Sequence, residues 1–289
     1  MSAHDRVLFG NESGPSGLLA VDALGGQHRQ PRCDAGCVNG DSQDPNVETR
    51  LLSAGGLCNA RDLGGLARTD GTRTPYGVFF RSENLDTVTP AGWQRLYELS
   101  IRTVIDLRQP VEREQHGYQA PDRMTAKHVD HDGFDDNPDF WVDYWENGLV
   151  GTALYYLPHV TRLPKRSAAV LTAIAQATDG AVLFHCAGGR DRTGIIAMLL
   201  LTIAGVEPEA IVDDYLESVR NASALATARG RPNNEPECEE ICHQNGTTTE
   251  GAFRDTLAGL DLDPVLTLLN DEHRTTLTTW HGSMPAIGT

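Results

Sequence analysis

The sequence predicts an α/β fold, a central and mostly parallel sheet flanked by helices, and three observations predict it. Val182-Leu183-Phe184-His185 is a β-branched and aromatic run that passes through a glycine-bearing loop into a helix opening near Thr193. Thr103-Val104-Ile105-Asp106-Leu107-Arg108 is a second compact strand, ending in charge. Ile195 to Ile203 is apolar on all sides, as a helix buried at the centre of a domain must be. With 289 residues, 39% of them hydrophobic, the chain can build one large domain or two small ones.

In chain order, residues 1–47 are rich in Gly, Ser, Asp and Pro with little periodicity and read as a disordered N-terminal extension. The ordered domain is expected over 48–275, with 276–289 a flexible tail. The glycine pair in Asn59-Ala60-Arg61-Asp62-Leu63-Gly64-Gly65-Leu66 reads as a turn between two short strands, the second being Gly77 to Ser82. Taken alone, Arg61 and Asp62 form an ion pair by default. Thr89-Pro90 starts a helix as N-cap and first-turn proline, with Trp93, Leu96 and Tyr97 on its apolar face. Glu112, Arg113 and Glu114 read as a solvated helix start.

Residues 130–147 combine carboxylates with aromatic rings, which suits either an amphipathic helical lid over the pocket or a surface helix buried on one side. Leu163 to Ala177 reads as a helix with Ala168, Ala169, Leu171, Ile174 and Ala175 inward. Gly205 ends the central helix and Pro208 starts another through Ile211, Val212, Tyr215 and Leu216. Residues 221–250 lose periodicity and read as a long insertion or mobile loop. Two short helices near 251–260 and 263–270 close the domain.

The net charge of −16 argues against nucleic acid and against adhesion to anionic membranes as partners. No apolar run reaches the roughly 18 residues of a membrane span, and the N-terminus lacks the basic-then-apolar order of a signal peptide. A soluble, cytoplasmic protein is expected. Cys33 with Cys37 and Cys238 with Cys242 form two C-x3-C pairs, with His28 and His243 nearby. That spacing is looser than the usual zinc pattern, so neither a metal nor any other cofactor is expected.

The chemistry concentrates at Cys186, where the loop begins, and at Arg192, six positions later. Such a loop can wrap a tetrahedral dianion with the N–H groups of Ala187, Gly188, Gly189, Arg190, Asp191 and Arg192. The helix N-terminus adds positive charge and Arg192 can fork onto two phosphate oxygens. The same field favours the thiolate of Cys186. A lone cysteine after an apolar strand is ordinarily an inert thiol, and a glycine pair before a helix ordinarily a turn. Their combination with Arg-Thr-Gly between strand and helix is what points to catalysis.

At His185-Cys186-Ala187-Gly188-Gly189-Arg190-Asp191-Arg192-Thr193-Gly194 the chain resembles the cysteine-dependent tyrosine phosphatase superfamily. More narrowly, it is similar to the bacterial tyrosine and phosphoinositide phosphatases whose loop reads His-Cys-x-Ala-Gly-Lys-Asp-Arg-Thr-Gly. Gly188 stands where that pattern has alanine, and Arg190 where it has lysine. The Asn-x-Arg-Asp-Leu-Gly-Gly element at Asn59 and the Phe-Arg-Ser strand at Phe80 belong to the same resemblance, which runs from about residue 50 to 270.

The resemblance implies a tyrosine-phosphatase-like fold and two-step phosphomonoester hydrolysis. Cys186 is then the nucleophile, Arg192 and the loop amides hold the oxygens, and Thr193 bonds the Cys186 sulfur. His185 orients the loop, Arg61 and Asp62 brace it, and Asp106 and Arg108 lie near it. The acid is Asp191 by resemblance, with Asp106 and a carboxylate of 130–147 such as Asp132 or Asp135 as competitors. Arg190 either pairs internally or reaches a second substrate phosphate. The implied partners are phosphoprotein or phosphoinositide substrates. Two other classes fit the loop less well: a rhodanese-like sulfurtransferase, against which Arg192-Thr193 and the Asn59 element speak, and a non-catalytic phosphate binder.

Overall fold

The computed structural model describes residues 50–177 and 180–280. The 1–47 segment, with His28, Cys33 and Cys37, and residues 281–289 lie outside the described residues. Five strands, β1 (Arg61–Asp62), β2 (Phe79–Ser82), β3 (Ile101–Asp106), β4 (Thr125–His128) and β5 (Ala181–His185), form one sheet in the order β1-β2-β5-β3-β4. Only the β1–β2 pair is antiparallel. All of β5 is buried, which its unbroken apolar run requires of a central strand covered on both faces. Ser82, His185 and Asp106 pair in one row at the carboxyl ends of three parallel strands. The segments that follow them therefore leave the sheet at one edge, where ligands gather in open α/β sheets.

Side chains alternate across the sheet. Phe79, Ile105 and Phe184 face one core, and Phe80, Val104 and Leu183 the other. Helices α1 (Pro90–Glu98), α2 (Pro110–Gln115), α3 (Pro138–Trp145), α4 (Tyr156–Arg162) and α5 (Pro164–Ala175) precede β5. Thr89 caps α1 by accepting from the Gly92 N–H at 3.1 Å. Then come α6 (Asp191–Ile203), α7 (Pro208–Ala228), α8 (Glu235–Gln244), α9 (Thr249–Ala258), α10 (Asp263–Leu266) and α11 (Asp271–Thr279). Helix α6 is buried from Thr193 to Leu201, as expected of an apolar helix inside a domain. Among the described residues no helix is long and apolar enough to cross a membrane.

Three expectations change, and one open alternative is decided. Most of residues 221–250 is helical rather than a loop: α7 runs on to Ala228, burying Leu225 and Ala226, and α8 buries Cys242. Their polar residues clothe the outer faces of helices, which erased the periodicity. In α5 it is Val170, not Ala169, that turns inward. The rings of 130–147 are built into the core, with Phe140 and Trp141 buried and Asp135, Asp136 and Asp139 exposed, so α3 is a surface helix buried on one side. The domain also continues past residue 275, because α11 buries Leu277 and delivers Trp280 to the core. There Trp280 meets Phe79 edge-on at 4.6 Å and donates its Nε1–H to the Pro75 carbonyl at 3.2 Å.

Candidate active site

Residues 186–190 leave β5 and turn into α6, and the shape of this loop is set from outside. Four consecutive carbonyls are each held by a donor: Cys186 O by His185 Nδ1 at 3.1 Å, and Ala187 O by the Asn84 N–H at 3.0 Å. Asn59 Nδ2 donates to Gly188 O at 3.0 Å, and Arg81 to Gly189 O at 2.7 Å. Every described peptide is trans, so N–H and C=O of one unit point opposite ways. The N–H groups of residues 187–190 are thereby turned away from these outer donors, into the concavity. Gly189 has φ +71° and a Cβ there would lie 2.6 Å from Ser82 O, so the position requires glycine. Gly188 is different, since a Cβ would meet only Arg231 at 3.8 Å.

Cys186 is buried at the start of the loop. A carbonyl can only accept, so His185 Nδ1 carries the proton and Nε2 accepts from the Tyr118 hydroxyl at 2.7 Å. Burial pushes His185 down to about 4, which keeps the ring neutral in that tautomer.

Two of the outer donors hang on one residue that the sequence did not single out, Asp214 of α7. Its carboxylate takes Arg61 Nε at 2.9 Å, Arg81 at 2.6 Å and Arg50. Arg61 also bonds the Asn59 side-chain oxygen at 2.8 Å, so a continuous chain runs from Asp214 through Arg61 and Asn59 to Gly188. A shorter one runs through Arg81 to Gly189. Burial alone would raise Asp214, but Arg61, Arg81 and Arg50 outweigh it and hold the carboxyl far below the usual range. The default Arg61–Asp62 pair is replaced: Asp62 accepts from the N–H groups of Gly64 and Gly77, both at 2.7 Å, and fixes the turn. A signal for Asp214 existed, since it sits with Ile211, Tyr215 and Ser218 on the inward stripe of a helix, where an acid needs a cation.

Arg192 is gripped by Glu112 through two bonds, at 2.5 and 2.8 Å, and by Asp132 at 3.2 Å. The expected solvated helix start at Glu112 is thus half wrong. Arg113 and Glu114 stay at the surface while Glu112 turns inward to the loop arginine, a choice that a run of three charges conceals. Burial pushes Asp132 up to about 6, with Glu112 adding to the rise and Arg192 opposing it. Asp106 is fully buried and forked onto Arg108 at 2.9 and 2.7 Å. Burial would raise it, yet the Arg108 bonds and His185 prevail and lower it, so Asp106 has no proton to give. Asp191 opens α6 and accepts from the Tyr156 hydroxyl at 2.7 Å. The Thr193 hydroxyl is buried without a hydrogen-bond partner, so the expected bond to the Cys186 sulfur is not formed here.

Arg190 points inward. It pairs with Glu235 at 2.9 Å and Asp191 at 3.4 Å, donates to the Gly151 carbonyl, and lies over the Tyr215 ring at 5.6 Å. Burial lifts Glu235 to about 7, against the pull of Arg190. Among the described residues His131, Asp132 and His159 bring possible metal-ligand atoms within 4.8 Å of one another. The two imidazoles stack at 27°, so their lone pairs run side by side rather than toward one ion, and Asp132 is held by Arg192 and Gln109. Cys238 and Cys242 share helix α8, whereas the other pair lies outside the described residues.

Comparison with known proteins gives one consistent result. The sequence model of the tyrosine phosphatase family matches residues 52–264. A Cupriavidus necator protein designated a putative tyrosine-protein phosphatase is 30% identical over 223 residues, covering 68% of this chain and 76% of that protein. A Nostoc commune tyrosine-protein phosphatase is 32% identical over 190 residues, 59% of each chain. The triple specificity protein phosphatase PtpB of Mycobacterium tuberculosis is 29% identical over 191 residues, covering 56% of this chain and 67% of that one. Among solved structures, TpbA of P. aeruginosa aligns over 65% of this chain and 90% of its own with 18% identity and a TM-score of 0.28, too weak a likeness to bear on the fold.

Proposed function

The chain belongs to the tyrosine phosphatase family of hydrolases, and from that premise we propose that it hydrolyses phosphotyrosine through a cysteinyl-phosphate on Cys186. The observation that carries this is the row of four outward-held carbonyls, which leaves the amides of residues 187–190 facing one concavity beside the Cys186 sulfur. The thiolate forms an S–P bond as the bond from phosphorus to the tyrosyl oxygen breaks, and water then displaces the sulfur. Arg192 and the amides hold the equatorial oxygens while charge redistributes. Glu112 and Asp132 position Arg192, and Asp214 positions the loop through Arg61 and Arg81.

Asp191 gives the leaving oxygen its proton, since it stands at the loop's exit with part of its carboxylate open to solvent. A second reading gives that role to Asp132, and one observation favours it: a carboxyl raised to about 6 still carries a proton at mildly acidic pH. Breadth toward phosphoserine, phosphothreonine or phosphoinositides is supported only by the name of the Mycobacterium tuberculosis relative. Arg190 adds nothing to it, because its guanidinium is paired inside the protein.

Cys186→Ser is expected to cut turnover of phosphotyrosyl peptides to below about a thousandth. Mass spectrometry of the quenched wild-type reaction should find phosphate on Cys186 and not on Cys58, Cys238 or Cys242. Substantial activity in the serine variant, or phosphate on another cysteine, sinks the proposal.

A further inference from the structure

The arginines that surround the loop are paired, with one exception. Arg192 pairs with Glu112, Arg190 with Glu235, Arg61 and Arg81 with Asp214, and Arg229 with Asp86. Arg231 has no ion pair and no side-chain hydrogen bond among the described residues. The charges that act on it are those of Arg229, Cys186, Asp86 and Glu83. Both acids are already taken, Asp86 by Arg229 and Glu83 by the N–H groups of Cys58 and Asn59. What remains in its field is the nucleophile, and whatever the loop binds.

The position of Arg231 is fixed by the backbone. Helix α7 ends with Gly230 at φ +61°, and its N–H reaches the Thr227 carbonyl at 3.1 Å. The Arg231 N–H bonds the Ala226 carbonyl at 3.0 Å, the 6→1 closure of a Schellman turn, and Pro232 follows. The guanidinium then lies along the Gly188 face of the loop, one nitrogen 3.8 Å from where a Gly188 Cβ would be. The same helix carries Asp214 and Ser218, which hold Arg61 and Arg81, so Arg231 and the loop are referred to one rigid element. Arg231 is exposed, at the rim rather than the floor. From there it can meet substrate groups that flank the loop.

We propose that Arg231 is a second anion position, selecting phosphotyrosyl peptides that carry a carboxylate side chain beside the phosphotyrosine. The proposal rests on the tyrosine phosphatase reading and deepens it. A rim guanidinium with a fixed stem and free donors suits a bidentate carboxylate. A chain of net charge −16 is repelled by an anionic lipid surface, which favours a peptide over a membrane phosphoinositide.

The test compares kcat/KM on three series of phosphotyrosyl peptides that differ only in having Glu, Gln or Lys next to the phosphotyrosine, on either side. Wild type should prefer Glu to Gln by about threefold, the size of one exposed ion pair. Arg231→Gln should bring that ratio near one, and Arg231→Glu should invert it in favour of Lys. A ratio on one catalytic centre cancels any general loss of activity in the variants. A Glu preference that survives Arg231→Gln overturns the proposal. So does an absence of Glu preference in wild type combined with an Arg231-dependent preference for soluble inositol bisphosphates over monophosphates, which would assign the position to inositides. Uniform hydrolysis of all three series defeats only the role of Arg231, whereas no hydrolysis of any of them defeats the tyrosine phosphatase reading as well.

Discussion

Asp132 and Asp191 approach the loop with different credentials, and a leaving-group series separates them. If Asp191 is the acid, Asp191→Asn should slow alkyl phosphates by at least about a hundredfold and activated aryl phosphates much less, because only poor leaving groups need the proton. If Asp132 is the acid, wild-type kcat should decline as pH rises through about 6, where that carboxyl ionises, and Asp132→Asn should abolish this limb. A limb that persists in Asp132→Asn returns the role to Asp191. At this scale the loop itself was legible in the sequence, since nucleophile, glycines and arginine sit in ten consecutive residues. Its supports were not. Glu112 looked like one charge among three, and Arg190 could have faced either way until Glu235, some 45 residues later, took it.

Among the elements, α7 does most to fix the site, through a single carboxylate. Asp214 is buried with three arginines on it, and Arg61 and Arg81 are themselves buried, so Asp214→Asn leaves cations without a counter-charge. The variant should be about 3–5 kcal/mol less stable near neutral pH by urea denaturation. A folded pKa below the unfolded one means this contribution is complete above the unfolded carboxylate value of about 3.9. It is lost as pH falls below that, toward the depressed folded value. Wild type and variant should therefore converge in stability on acidification, and a gap that stays constant below pH 4 would show that Asp214 acts by packing alone. Strands β2, β3 and β5 and the buried α6 could be read from apolar runs, but the edge strand β4, with its mostly exposed Thr-Ala-Lys-His, α7 beyond residue 220 and α8 could not. Short helices joined by turns rich in Asn, Gly and Thr have together the composition of a loop, and only a few inward residues distinguish them.

For the molecule as a whole, the centre of the sheet and the helix behind it followed from the sequence because burial on both faces leaves an unmistakable apolar signature. The closing contact did not. Trp280 returns from the far end of the chain to lie against Phe79 at the start of β2, a pairing across about two hundred positions that no local pattern announces. Trp280→Ala should cost about 3–5 kcal/mol, measured as a drop in the urea midpoint. A variant with an unchanged midpoint would show that α11 docks without contributing to the core.

The four carbonyls held from outside the loop have one more consequence. Their donors belong to the scaffold, so the amides opposite them are aimed before any ligand arrives and need not rearrange to receive one. Such a mould answers to the shape and charge of an oxyanion, and is indifferent to whether an alcohol is still attached. On the proposed function, inorganic phosphate left behind at the end of each cycle fits it as the ester does. An enzyme so built competes with its own product, and accumulating phosphate is expected to brake turnover in proportion to how well the empty loop keeps its form.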